Sequence, residues 1–126
     1  MYESGEMYLE TILILAARRG PVRAVDVAEE MRLSKPSVSR ALSKLKAEGC
    51  VAADENGGLV FTEKGRTIAE KIYERHQVLT ESLVLLGVDR ETAAADACKM
   101  EHDISDATFE AIRRHLRGGS RTEEQK

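Results

Sequence analysis

The sequence predicts a mainly α fold: an N-terminal winged helix-turn-helix with a small β-hairpin wing, followed by an all-α second half. Three observations predict it. Apolar residues recur at helical spacing through most of the chain, and the breaks fall at glycine, proline and capping residues. One segment departs from that pattern: in Val51 to Phe61 two short apolar runs flank Asp54-Glu-Asn-Gly-Gly58, a hairpin turn signal. Ahead of it stand a short helix, a tight turn and a helix opening on Ser34-Lys-Pro-Ser37, the order of a helix-turn-helix and its wing.

The first helix is expected over Ser4 to Arg19, with Met7, Leu9, Ile12, Leu13, Leu15 and Ala16 as its apolar stripe, and Gly20-Pro21 ends it. A second, short helix spans Ala24 to Met31, with Val25, Val27 and Ala28 inward. Ser34 is the expected N-cap of a third helix that has Pro36 in its first turn and runs to about Glu48, where Gly49 stops it. After the hairpin, Thr62 caps a long helix from about Glu63 to Leu86, closed by Gly87. Asp89 to about His102 forms another helix, and Ser105 to Leu116 the last. The expected domains are a DNA-binding unit over 1–66, a helical unit over 67–117 and a flexible tail over 118–126, which lacks apolar residues.

With 126 residues and 42% hydrophobic content, the chain can bury a modest core. No apolar run reaches the roughly 18 residues of a membrane span, and the polar, acidic Tyr2 to Glu6 is unlike a signal peptide. A cytoplasmic protein with no membrane partner is expected. The two cysteines then stay reduced; Cys50 is expected as a small buried hydrophobe.

The net charge of −3 hides a local asymmetry. Arg32, Lys35, Arg40, Lys44 and Lys46 occur between positions 32 and 46 with no acid among them. A basic third helix in an acidic chain fits entry into a DNA groove. Ser34, Lys35, Pro36, Ser37, Ser39 and Arg40 form its opening turns; Arg40 suits a guanine edge, and Lys44 and the earlier Arg23 suit phosphates. Asp54 and Glu55 make the wing a poor phosphate clamp.

The run Asp96-Ala-Cys-Lys-Met-Glu-His102 holds the other chemistry. On a helix, spacings of three and four put Cys98, Glu101 and His102 on one face, a mixed sulfur, oxygen and nitrogen set for a first-row transition metal. The set is incomplete. Met7 and Glu10, three apart on the first helix, and His76 on the long helix are candidates to complete it. Each also has a plainer reading: Met7 as core, Glu10 as a surface carboxylate, His76 as an exposed polar residue.

Together, Gly5-Glu-Met-Tyr-Leu-Glu10, Arg75-His76 and Ala97-Cys-Lys-Met-Glu-His102, ordered around a winged helix, resemble the diphtheria toxin repressor family over about Glu3 to Leu116. Members are metal-dependent transcriptional repressors, so the resemblance implies that the second half is a metal-binding and dimerisation domain. It implies Met7, Cys98, Glu101 and His102 as the activating ligands of the iron-type members, and Glu10 and His76 as ligands in the manganese-type members. The chain mixes the two patterns: Thr80 stands where a carboxylate is usual, Ala94 stands where the iron type has a further histidine, and the chain resembles a short form without an SH3-like domain.

The cofactor expected is Fe(II) or Mn(II), with Fe(II) placed first because Met7 and Cys98 are soft donors; Co, Ni and Zn substitute in vitro by the Irving–Williams order. A homodimer that binds a palindromic operator, with half-sites about 34 Å apart, and represses metal-uptake genes is the function implied. Its dimer face is expected around Ala93, Ala97, Ile104, Phe109 and Ile112. The competing reading is a thiol redox repressor with Cys98 as its sensor. An enzyme is not expected, since neither a phosphate loop nor a catalytic cleft signature is present.

Overall fold

The computed structural model describes residues 3–118, in the order α1 (Glu3–Arg19), α2 (Ala24–Met31), α3 (Lys35–Ala47), β1 (Val51–Ala53), β2 (Leu59–Phe61), α4 (Glu63–Leu85), α5 (Arg90–Met100) and α6 (Asp106–Arg117). The mainly α class with a two-stranded wing is as the sequence predicts. The chain divides into two compact units, with the boundary after Lys71, inside α4.

In the first unit, Leu9, Ile12 and Leu15 of α1 lie in one core with Val27 of α2 and Val38, Leu42 and Leu45 of α3. Burying each such side chain contributes about 1.5–3 kcal/mol. Val25, expected inward, is instead exposed. Two residues before Val27, it is turned about 200° around the helix, so the two cannot share a face. Cys50 is buried in the same core, as the sequence suggests.

Ser34 caps α3: its hydroxyl accepts from Ser37 N–H at 3.3 Å, and Pro36 sits in the first turn. The wing pairs Val51 with Phe61 and Ala53 with Leu59. Its turn is closed by Asp54, whose Oδ1 accepts from Asn56 N–H at 2.8 Å and Gly58 N–H at 2.7 Å. Leu59 N–H also donates to Val22 O at 2.7 Å, which ties the wing to the segment before α2. Thr62 joins the wing to α4, donating to Gly49 O at 2.6 Å and accepting from Gly65 N–H at 3.1 Å. At Gly65 a Cβ would lie 1.8 Å from Cys50 O, so only glycine allows this approach.

In the second unit, Ile72 and Leu79 of α4, Ala93 and Ala97 of α5 and Phe109 of α6 are buried. Asp89 caps α5 by accepting from Thr92 N–H at 3.0 Å, and Ser105 caps α6 by accepting from Thr108 N–H at 3.1 Å. Helix α5 runs to Met100 with Glu101 as its C-cap, close to the expected end at about His102. Asp103 N–H bonds back to Met100 O at 3.0 Å, and the chain turns there into α6. The burial of Ala93, Ala97 and Phe109 inside the chain also removes them from the expected dimer face. Apart from Gly118, the expected tail lies outside the described residues.

Candidate functional site

Cys98 occupies the last turn of α5; Glu101 is the C-cap of that helix, with helical backbone angles and its N–H donating to Ala97 O at 2.9 Å, and His102 follows it. Glu101 is 0% exposed, and neither carboxylate oxygen accepts a hydrogen bond among the described residues. His76 Nδ1 of α4 lies 3.4 Å from Glu101 Oε1 without hydrogen-bond geometry, and His102 Nε2 lies 4.0 Å from the same oxygen. His76 is half-buried, and the His102 side chain is wholly covered.

A carboxylate removed from water without hydrogen bonds costs stability. Placed against imidazole nitrogens, it is instead an oxygen and nitrogen donor set for a divalent cation. The residues present therefore fit the metal that the resemblance implies. Cys98 is half-buried, and neither it nor Cys50 forms a disulfide. In the first unit, Met7 is half-buried on α1, and Glu10 is only 7% exposed, which sets aside the surface-carboxylate reading.

Sequence reasoning passed over Arg75. It precedes His76 on α4, is 6% exposed, and donates through Nη1 to Glu101 O at 3.0 Å and Ile104 O at 2.9 Å. Nη2 pairs with Asp106, and the guanidinium lies 5.2 Å from the centre of the Phe109 ring. The only local signal was its place in the Arg75-His76 pair; what it grips lies 26 to 31 residues onward.

The outer face of α3 is the second candidate surface. Val38, Leu42 and Leu45 point into the core, which leaves Ser34, Lys35, Pro36, Ser39, Arg40 and Lys44 exposed and Ser37 half-buried. Ser37 accepts from Ser34 Oγ at 2.9 Å and from Arg40 Nη2 at 3.5 Å, so the three polar ends gather at the start of the helix. No acid lies in that first turn. Arg23 is exposed just before α2, where its N–H donates to Asp26 Oδ2 at 2.8 Å.

Two family models match, in the same order as the two units. The iron dependent repressor N-terminal DNA binding domain matches residues 1–59. The iron dependent repressor metal binding and dimerisation domain matches residues 62–124. Transcriptional regulator MntR of Escherichia coli O6:H1 is 36% identical over 106 residues, which is 84% of this chain and 68% of that protein. An HTH-type transcriptional regulator of Methanocaldococcus jannaschii is 34% identical over 115 residues, 90% of this chain and 92% of that protein. Among solved structures, the manganese regulator SloR superposes with a TM-score of 0.79 at 30% identity, over 90% of this chain and 53% of that one. The metal-dependent transcriptional regulator MtsR superposes with a TM-score of 0.82 at 26% identity, over 89% of this chain and 53% of that one. The chain thus spans about half the length of these two structures. By both family models and these relatives, the chain belongs to the iron dependent repressor family.

Proposed function

We propose that the chain is a metal-dependent transcriptional repressor whose affinity for an operator rises when Glu101, His76 and His102 hold a divalent cation. The observation that carries this reading is Glu101: a wholly buried carboxylate, neither oxygen hydrogen-bonded among the described residues, with ring nitrogens 3.4 and 4.0 Å away. When bound, the cation would supply a positive charge beside this buried carboxylate. Met7, Glu10 and Cys98 are carried over from the resemblance as the remaining donors. Sulfur at Met7 and Cys98 favours Fe(II), whereas carboxylate and imidazole suit Mn(II). The likeness to a manganese regulator adds weight to Mn(II), and we place it ahead of Fe(II).

The DNA-reading surface is the exposed start of α3. Arg40 is assigned to a base edge, Arg23, Lys35 and Lys44 to phosphates, and Ser34, Ser37 and Ser39 to phosphates or base edges, with Pro36 shaping the first turn. The partner is a palindromic duplex, because we assign a homodimer. The apolar groove of the second unit supports that assignment. Leu79, Leu83, Leu86, Met100, Ile112 and Leu116 line about 570 Å³, and Leu85 and Leu86 stand 73% and 80% exposed. A second copy covering that groove keeps Ile112 of the dimer face expected from the sequence and replaces the buried Ala93, Ala97 and Phe109. No helix among the described residues is long and apolar enough to cross a membrane, and a cytoplasmic regulator of metal-uptake genes is the role proposed.

The test is direct metal binding. Mn(II) uptake is followed by loss of the free-ion electron paramagnetic resonance signal, and Fe(II) uptake by anaerobic competition, for wild type, Glu101→Gln, His76→Ala, Met7→Ala and Cys98→Ala. Wild type is expected to bind and Glu101→Gln to lose binding. Equal binding by those two proteins would contradict the reading.

A further inference from the structure

We propose that Arg75 is the positioning residue of this metal site: it fixes the turn that carries Glu101 and His102 through the main chain, and leaves the Glu101 carboxylate open to a cation. The proposal rests on the metal-site reading above. Its basis is where the guanidinium spends its donors. Arginine commonly takes a carboxylate with two parallel hydrogen bonds. Here a buried carboxylate belongs to the residue that Arg75 grips, yet Nη1 donates to the carbonyl of Glu101 at 3.0 Å and that of Ile104 at 2.9 Å. Among the described residues, neither oxygen of Glu101 accepts a hydrogen bond. An arginine bound to them would compete with a metal; one bound to the backbone holds the residue without occupying the donor.

Two further contacts and the field of α5 suit that role. Nη2 pairs with Asp106 in the first turn of α6, so the connection from α5 to α6 is held at both ends. The guanidinium lies 5.2 Å from the centre of the Phe109 ring, a stacking distance that limits its rotation. The carbonyl of Glu101 also lies at the C-terminal end of α5, where the helix dipole favours a cation. Because His76 follows Arg75 directly, α4 supplies one donor and the clamp on the other two within a single turn. Lysine cannot reproduce this arrangement: it offers a point charge rather than a flat fork that reaches two carbonyls and a carboxylate together.

The test compares wild type, Arg75→Lys and Arg75→Met by Mn(II) affinity, by the visible spectrum of the Co(II) forms, and by thermal unfolding without metal. Arg75→Met is expected to weaken Mn(II) binding by about 10- to 100-fold, with an altered Co(II) spectrum, and Arg75→Lys to recover part of the affinity. If Arg75→Met does not fold, Arg75→Lys carries the test, with weaker Mn(II) binding and an altered Co(II) spectrum expected. Wild-type affinity and spectrum in Arg75→Lys, or in a folded Arg75→Met, would overturn the proposal. A wild type that binds neither ion would overturn the metal-site reading itself and this role with it, so the two failures are distinguishable.

Discussion

Replacing Glu101 by Gln should make the metal-free protein more stable while removing its response to metal. The substitution keeps the side-chain volume and drops the charge. In the folded chain the carboxylate is 0% exposed, and neither oxygen accepts a hydrogen bond among the described residues. A buried polar group left in that state costs about 1–3 kcal/mol, more when it is charged. Gln keeps the neutral part of that cost and removes only the excess due to charge; an excess of about 1–2 kcal/mol is worth roughly 4 to 8 °C in Tm, at roughly 4 °C per kcal/mol for a chain of this size. Metal acts in the opposite sense on wild type. A cation at a hundredfold excess over its Kd stabilises the folded state by about 2.7 kcal/mol, or roughly 10 °C.

The assay is thermal unfolding followed by circular dichroism at neutral pH, for wild type and Glu101→Gln, with chelator and with Mn(II). The expected pattern is a crossover: the variant melts higher with chelator, and only wild type moves upward with Mn(II). A variant that melts several degrees below wild type with chelator would mean that the carboxylate is a structural partner, not a waiting ligand. An equal Mn(II) shift in both proteins would also refute the reasoning.

Four other outcomes are expected. Gly65→Ala should lower the urea midpoint by an amount worth at least about 1–3 kcal/mol, since its Cβ would meet Cys50 O at 1.8 Å; an unchanged midpoint would contradict that contact. Arg40→Ala should relax selection at one base position by about 1–3 kcal/mol, whereas Lys44→Ala should lower affinity across sequences and reduce the salt slope by about one; selection from a randomised duplex pool and salt titration separate the two. Leu86→Asp should shift sedimentation towards monomer, because Leu86 lines the apolar groove and is 80% exposed; an unchanged dimer would place the interface elsewhere. The N–H of Thr92, then its side chain, hold the Asp89 carboxyl below its ordinary value. That stabilisation of α5 is present above the unfolded value of about 3.9 and is lost as pH falls through the lower folded value. Helix content in an acid titration should therefore fall in that range, and Asp89→Asn should remove the step.

Local chemistry made most of the fold legible. The bounds of α2, the Ser34 cap of α3, the Asp54-to-Gly58 turn and the Thr62 start of α4 all rest on groups within a few residues of one another. The Val25 misreading is local, whereas that of the dimer face has its origin in packing distant in sequence. Helix α5 ends within two residues of the expected His102, and Arg75 takes carbonyls of Glu101 and Ile104 beyond it. Ala93, Ala97 and Phe109 are apolar and periodic, which suits an inner core as well as a dimer face; their burial within the chain decides for the core. The donors His76, Glu101 and His102 were legible as residue types, and the resemblance gathered them into a site. That neither oxygen of Glu101 accepts a hydrogen bond among the described residues, the observation on which the proposed cation site rests, is a property of the folded chain alone.

The most direct test of the account is the affinity of wild type and Glu101→Gln for a duplex selected from a randomised pool, measured with Mn(II), with Fe(II) under anaerobic conditions, and with chelator. The account predicts tight binding by wild type only with metal, weak binding by the variant under every condition, and metal affinity raised by the duplex by the same factor. Wild-type binding that is equally tight with chelator and with either metal would contradict it.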